Sequence, residues 1–131
     1  MSEYVIIAIV IIILVWVIGR RILIMMNPNV KNISADEARS LLSENKDVII
    51  LDVRTKEEYV RGHIPKALLL PVHELAIRIN ELEKYVNTPI LVYCASGGRS
   101  PGAVNTLLRN KFTAIYHLNR GISTWKFDLE K

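Results

Sequence analysis

Cys94 is the only cysteine in this chain of 131 residues, and its sequence surroundings suit nucleophilic chemistry. It follows the apolar run 90–93. The residues after it are small or basic: Ala95, Ser96, Gly97, Gly98 and Arg99. The two glycines permit the positive φ values of a tight loop, in which successive backbone N–H groups point at one anion. Ser100 and Pro101 are typical of the N-cap and first position of a helix, whose dipole also favours negative charge. The segment therefore predicts a thiolate nucleophile with a lowered pKa, a substrate-binding loop at 95–99 and a positive charge at its rim.

A lone cysteine at the end of a strand is often only a small buried hydrophobe, and this alternative remains open for Cys94. The glycines, the arginine and the predicted helix start favour the nucleophile instead. One cysteine forms no internal disulfide and leaves too few thiols for a cysteine-rich metal site, so no metal or cofactor is predicted. His73 and His117 lack metal-ligand spacing, and a thiolate of lowered pKa needs no base such as His63.

Helices and strands alternate along the part of the chain that would position Cys94. Capping-box spacings at 34–37 and 55–58 predict two helices, the first running to about Asn45 and the second ending at Gly62. Further helices are predicted at 74–86, from Ser100 and from Gly121. Apolar runs predict strands at 48–51, 67–70, 90–93 and 114–118. This order predicts an α/β fold, an open and mostly parallel sheet with helices on both faces, and ligands bind such sheets beyond the carboxyl ends of the strands.

Two charged residues, Asp52 and Arg54, follow the strand predicted at 48–51 and would lie close to the Cys94 loop. They are predicted to support that loop from behind through charge-assisted hydrogen bonds. An equally good interpretation is that they only organise the turn into the next helix.

The N-terminal segment has a different composition. Residues 4–18 carry no charge, and the apolar character continues past Arg20 and Arg21 to Met26. We predict a single transmembrane helix within 1–26, a linker at 27–31 and a globular domain at 32–131. A cleaved signal peptide and a buried core helix are the alternatives, but the segment lacks a small-residue cleavage site and a polar face. By the positive-inside rule, the two arginines place the globular domain in the cytoplasm.

The chain has a formal net charge of +4, with basic and acidic residues interspersed. This dispersion does not favour nucleic acid as a partner. The predicted lipid contact is through the N-terminal helix.

Four segments of this sequence resemble the signatures of the single-domain rhodanese family, in the family's order and spacing, over about residues 33–127. The segment 92–100 is similar to the active-site loop, in which the cysteine carries a persulfide. The other three are 50–59, Gly62–Pro65 with Ala67, and Gly121 with Trp125. The resemblance implies a rhodanese-like fold and sulfurtransferase activity through a Cys94 persulfide, with 95–99 binding the anion. Lys66 and Arg120 depart from frequent glycines of the family, which affects local packing more than chemistry.

The loop from Cys94 to Arg99 has six residues. In this superfamily that length is associated with sulfur transfer, whereas the related Cdc25-type phosphatases and arsenate reductases use a longer loop. The implied donor is thiosulfate or a small-molecule or protein persulfide, and the acceptor is an external thiol or a cyanide-like nucleophile. The alternative is a non-catalytic recruitment module at the membrane that keeps the fold without the activity.

Overall fold

The computed structural model describes residues 2–131, and within that range the chain forms a five-stranded sheet. The strands are β1 Val30–Ile33, β2 Ile49–Asp52, β3 Leu68–Leu69, β4 Ile90–Tyr93 and β5 Ile115–Leu118. The α-helices are α1 Glu3–Met25, α2 Ala35–Glu44, α3 Lys56–Arg61, α4 Val72–Leu75 and α5 Ser100–Arg109. Two 3₁₀ helices span Ile79–Tyr85 and Gly121–Thr124.

The sheet has the strand order β1-β5-β4-β2-β3, and every neighbouring pair is parallel. Side chains alternate between its faces, so Leu51 and Val92 lie in one core cluster and Ile50 and Tyr93 in the other. Helices α4 and α5 cover the first face, and α2 and α3 cover the second. Burying each large apolar side chain in these clusters contributes roughly 1.5–3 kcal/mol. The prediction of an α/β fold with a parallel sheet and helices on both faces is confirmed.

Both predicted capping boxes are present at the starts of α2 and α3. The Ser34 hydroxyl accepts a hydrogen bond from the Glu37 amide at 3.2 Å, and the Thr55 hydroxyl accepts one from the Glu58 amide at 3.2 Å. In each case the glutamate carboxylate accepts a hydrogen bond from the backbone amide of the N-cap residue. Two otherwise unpaired backbone donors are thereby satisfied. These local bonds explain why the starts of both helices were predictable from sequence.

The single helix predicted at 74–86 is wrong. The chain forms the short α4 and then the 3₁₀ helix Ile79–Tyr85, because Arg78 between them leaves the helical region with φ −104° and ψ 14°. Its side chain bridges the break by pairing with both Glu74 and Glu81. Leu75 and Leu82 still reach the same core, which is why their spacing resembled that of one continuous helix.

The first strand was not predicted from sequence. It begins at Val30, so Val30 and Lys31 of the predicted linker lie in β1 and pair in parallel with β5. Its two central residues are exposed, which leaves this edge strand with little apolar pattern. Strand pairing over a long sequence separation therefore decided its conformation.

Helix α1 has 23 residues and a length of about 34 Å, compared with a bilayer hydrocarbon core of about 30 Å. None of its residues is buried, and it is long and apolar enough to cross a membrane. A signal sequence near the N-terminus meets the same criterion. Its last turn contacts the globular domain, where Ile24 and Met25 pack against the core cluster that contains Cys94.

Candidate active site

Cys94 follows the last residue of β4 and lies at the carboxyl edge of the sheet. Its sulfur accepts hydrogen bonds from the backbone amides of Gly97 at 3.1 Å and Ser100 at 3.3 Å. As a thiol, it donates to the Ser100 hydroxyl oxygen at 3.2 Å. The side chain is only 1% exposed, so protein groups rather than water surround the sulfur.

Two opposing effects act on the pKa of Cys94. Burial raises it, because a thiolate is poorly solvated in the protein interior. Hydrogen bonds from the Ser100 side chain and from the amides of Ser100, Arg99 and Gly97 lower it. The hydrogen bonds outweigh burial, and the pKa of Cys94 lies below its ordinary value. A larger thiolate fraction makes the sulfur a better nucleophile near neutral pH.

The loop after Cys94 is held from behind by the 3₁₀ helix Gly121–Thr124. The amide of Ile122 donates to the Cys94 carbonyl at 2.9 Å, and the amide of Ser123 donates to the Ala95 carbonyl at 3.0 Å. Gly121 has φ +62°, and a Cβ there would come within 2.2 Å of the Cys94 carbonyl oxygen. Only glycine permits this close approach, which fixes the backbone of the nucleophile.

Ser100 was predicted to cap the following helix, and this is wrong. Arg99 occupies the N-cap position, Ser100 is the first residue of α5, and Pro101 lies next to it. The Ser100 hydroxyl is instead bonded on one side to Cys94 and on the other to Nε2 of His117. Nδ1 of His117 contacts Oδ1 of Asn32 at 2.8 Å. A line of polar side chains therefore runs from the sulfur to Asn32 on the edge strand β1.

His117 and Asn32 were not predicted as site residues. They are direct partners in the β1–β5 register, and β5 neighbours β4, which leads to Cys94. His117 is buried, which lowers its pKa to about 4, with a smaller lowering by the positive charge of Arg21. The signal in the sequence was a histidine within an otherwise buried strand, but its partners became visible only with the strand order.

Arg99, predicted to add positive charge at the rim of the loop, is partly exposed and has its charge paired. Its two terminal nitrogens donate to the two carboxylate oxygens of Glu58 at 2.7 and 2.9 Å. Glu58 was predicted as part of a capping box and of the rhodanese-like segment 50–59, without a role at the site. The ion pair lowers the pKa of Glu58 to about 2, chiefly through the hydrogen bond from Arg99.

Asp52 and Arg54 form a buried ion pair at 2.7 Å on the sheet edge beside Cys94. Arg54 also donates to the Gly62 carbonyl at 2.7 Å, and the Tyr93 hydroxyl donates to Asp52 at 2.7 Å while accepting from the Ile64 amide. Within residues 2–131, neither Asp52 nor Arg54 has a hydrogen bond to the loop 95–99. Their hydrogen bonds organise the connection that follows β2 and reach Tyr93, the residue before Cys94.

Helix α1 also reaches the loop. The guanidinium of Arg21 donates to the Gly98 carbonyl, although the two residues are 77 positions apart in the chain. The sequence singled out Arg21 only as a membrane-flanking charge. The structure therefore brings the predicted anchor and the predicted substrate-binding loop into direct contact.

The part of the chain that the structure describes has no group of three or more His, Cys, Asp or Glu side chains placed to hold a metal ion. The arrangement around Cys94 offers a buried nucleophilic sulfur, backbone donors for an anion and a polar line behind the sulfur. It is suited to covalent chemistry in which sulfur attacks and then leaves.

Comparisons with known proteins agree with this geometry. A sulfurtransferase of Allochromatium vinosum is 34% identical over 73% of this chain and 88% of its own length. The thiosulfate sulfurtransferase GlpE of Coxiella burnetii is 35% identical over 73% of this chain and 87% of its own length. The crystal structure of a rhodanese-like domain protein from Staphylococcus aureus superposes with a TM-score of 0.68 at 35% identity, covering 76% of this chain and 96% of that one. The family of the rhodanese-like domain matches residues 34–128. This chain is therefore a member of the rhodanese family, with one rhodanese domain behind an apolar N-terminal helix.

Proposed function

We propose that this protein is a membrane-anchored sulfurtransferase that carries sulfane sulfur as a persulfide on Cys94. One observation carries the proposal: the backbone amides of Gly97 and Ser100 donate hydrogen bonds to the sulfur of Cys94. These bonds help to lower the pKa of the Cys94 thiol. The sulfurtransferase relatives support the same activity. Residues 95–99 bind the anionic part of the donor in this proposal.

The reaction divides into two substitutions at sulfur. With thiosulfate as donor, the Cys94 thiolate attacks the outer sulfur, a new S–S bond forms, and sulfite leaves with the electron pair of the broken bond. A second nucleophile then attacks the outer sulfur of the persulfide, and Cys94 leaves as a thiolate. Charge is conserved in each step, and no external oxidant or reductant is needed.

The acceptor in the second step comes from outside the chain. Cys94 is the only cysteine, so no internal thiol takes the sulfur from it. An external thiol or a cyanide-like nucleophile fits this requirement. The six-residue loop from Cys94 to Arg99 favours a sulfur-transfer substrate over phosphate or arsenate, as the resemblance of the sequence implies.

The membrane part of the proposal rests on α1. Its apolar side chains from Tyr4 to Ile18 are exposed, and Arg20 and Arg21 lie near its C-terminal end. A spanning helix hides this surface in lipid, and the two arginines favour the cytoplasmic side for the domain. The contact of Arg21 with Gly98 supports a position of the Cys94 loop close to the headgroup layer in this arrangement.

The activity is tested with the full chain in detergent micelles. We expect thiosulfate:cyanide transfer by the wild type and background rates for Cys94→Ser. Intact-mass spectrometry after treatment with a donor should show the added mass of one sulfur atom on the wild type alone. Equal transfer rates in the two proteins would contradict the proposal, and folded protein without added sulfur would favour the recruitment module.

The topology is tested with an impermeant maleimide on intact cells. The variant combines Cys94→Ser with Lys46→Cys, so the single thiol lies at an exposed position of the domain. We expect labelling only after the cells are opened. Labelling of intact cells would contradict the cytoplasmic orientation, and recovery of the protein in the soluble fraction would contradict the anchor.

A further inference from the structure

A hydrogen-bonded line leads from Cys94 through the buried side chains of Ser100 and His117 to Asn32 on the edge strand β1. Ser100, which is fully buried, contacts both the Cys94 sulfur at 3.2 Å and Nε2 of His117. His117 is 5% exposed, and its other ring nitrogen contacts Asn32 Oδ1 at 2.8 Å. The sulfur-transfer chemistry proposed above uses neither the Ser100 hydroxyl nor the side chains of His117 and Asn32, although they form a continuous line from its nucleophile.

The donors along this line all point in one direction. Oδ1 of Asn32 is an acceptor, so Nδ1 of His117 carries the ring hydrogen and donates to it. In the neutral ring Nε2 is then an acceptor, so the Ser100 hydroxyl donates to it. The lone pairs of Ser100 are left for the Cys94 thiol, which donates to them. Each donor along the line therefore points away from Cys94: Cys94 to Ser100, Ser100 to His117, and His117 to Asn32.

We propose that His117 takes up the proton of Cys94 through Ser100 when the thiolate forms, and that Asn32 holds the ring in the tautomer able to receive it. The S–H bond breaks as its proton passes to the Ser100 oxygen, while the Ser100 hydroxyl proton passes to Nε2 of His117. A thiolate and an imidazolium result, with no change in total charge. The inference rests on the proposed function, for which Cys94 must be ionised.

The surroundings of His117 suit a temporary proton store. The charged and titratable groups that the structure describes around it are Arg21 from α1 and Cys94 beyond β4. Burial and Arg21 lower the pKa of His117 to about 4, so its ring is neutral at neutral pH and its Nε2 lone pair faces the Ser100 hydroxyl. The imidazolium is then stabilised mainly while Cys94 or its persulfide is anionic. The proton returns by the same path to the anionic sulfur of Cys94, which restores the thiol and the neutral ring.

His117 acts through Ser100 and never touches the substrate, so it is a positioning residue. A purely structural role for the buried line would alter stability or lower activity equally at every pH. Proton uptake predicts instead that the ionisation of Cys94 changes when His117 changes. The two roles therefore differ in the pH profile of the thiol.

The test is the rate of Cys94 alkylation by iodoacetamide as a function of pH, with the full chain in micelles. His117→Gln keeps a side chain that accepts from Ser100 but takes up no proton. We expect the inflection of the pH–rate profile of His117→Gln to move to higher pH. Its alkylation rate in the acidic range should be about tenfold lower than that of the wild type for each pH unit of displacement. The two rates should converge at alkaline pH. The matched control is His73→Gln, since His73 lies on the surface away from this line.

Two further variants sharpen the test. Ser100→Ala interrupts the line and should displace the inflection in the same direction as His117→Gln. Asn32→Asp places a carboxylate on Nδ1, raises the pKa of His117 and should move the Cys94 inflection to lower pH. Coincident profiles for wild type and His117→Gln, or a loss equal at every pH, would overturn the inference. Alkylation needs no sulfur donor or acceptor, so the pH profiles can be interpreted even if the protein shows no sulfur transfer.

Discussion

Glu58 and Arg99 form a two-point ion pair, with nitrogen–oxygen distances of 2.7 and 2.9 Å. The same carboxylate accepts the amide of Thr55 at 3.2 Å and so completes the N-terminal cap of α3. One side chain thereby joins the end of the Cys94 loop to a helix on the other side of the sheet. The geometry orients Arg99 but also neutralises part of its charge.

Glu58→Gln should destabilise the domain by at most about 1 kcal/mol, since both partners are partly exposed and solvent screens them. Hydrogen bonds from Arg99, the largest cause, and from Thr55 lower the pKa of Glu58 from 4.5 to about 2. The stabilisation is therefore fully present above pH 4.5 and is lost as the pH falls toward 2. Urea unfolding of wild type and variant at neutral pH and at about pH 3 measures this contribution to the free energy of unfolding. The stability difference between wild type and variant should shrink on acidification. A difference that stays constant would contradict the role of the ion pair.

Gly121→Ala should impair Cys94 chemistry without any change at the sulfur. The added Cβ would come within 2.2 Å of the Cys94 carbonyl oxygen, so the backbone of the nucleophile has to shift. Displacing a reacting group by about 1 Å costs on the order of 10²-fold in rate. Transfer rates of folded variant protein measure the effect.

Gly102→Ala is the matched control, because the nearest atom to its Cβ is a Val72 methyl group at 4.0 Å and the site lies within α5. Alanine there should raise stability by about 0.5–1 kcal/mol and keep the activity. Wild-type rates for Gly121→Ala would contradict the predicted clash.

Lys66→Gly should stabilise the domain. Lys66 has φ +71° and Arg120 has φ +62°, and both stand where the rhodanese family often has glycine. A non-glycine residue in this region costs roughly 1–2 kcal/mol. Glycine removes this cost, but its greater conformational freedom in the unfolded chain offsets about 0.5–1 kcal/mol of the gain in stability. A net gain of up to about 1 kcal/mol should appear in denaturant unfolding.

The control for Lys66→Gly is Lys46→Gly, because Lys46 is not among the residues with positive φ. That substitution relieves no strain and should lower stability. Equal effects at the two lysines would show that the left-handed conformation of Lys66 costs little.

Arg21→Gln should raise the pKa of His117. Burial lowers that pKa most, and the positive charge of Arg21 lowers it further. NMR titration of the His117 ring nitrogens in micelles measures the change. Arg20→Gln is the matched control, because Arg20 lies over the Trp16 ring instead. An unchanged His117 pKa in Arg21→Gln would contradict the contact between α1 and the site.

Local patterns explain what was predictable about the fold. The two capping boxes and the apolar runs of β2 and β4 involve neighbouring residues, so the sequence shows them directly. Strand β1 depends on pairing with β5, more than 80 residues further along the chain, and its own pattern is weak. The break at Arg78 depends on where the side chains of two glutamates reach, which periodicity does not record.

The candidate site divides in the same way. Cys94 and the loop 95–99 are contiguous, so composition and spacing were enough to predict an anion-binding loop beside the thiol. Glu58, His117 and Asn32 come to this site from three other elements, and only the strand order and helix placement bring them together. Asp52 and Arg54 were predicted close to the loop because they follow β2, but their side chains turn toward Gly62 and Tyr93.

Only residues 26–29 separate the end of α1 from the start of β1. Fully extended, four residues reach about 14 Å, and Ile24 and Met25 already rest on the domain. A tether this short gives the domain little rotational freedom about the helix axis. In the membrane-bound arrangement that we propose, the mouth of the site keeps a nearly constant height and tilt. A partner protein must then present its own persulfide, to deliver sulfur, or its own thiol, to remove it, at that height. Two-dimensional diffusion along the bilayer becomes the natural route of encounter.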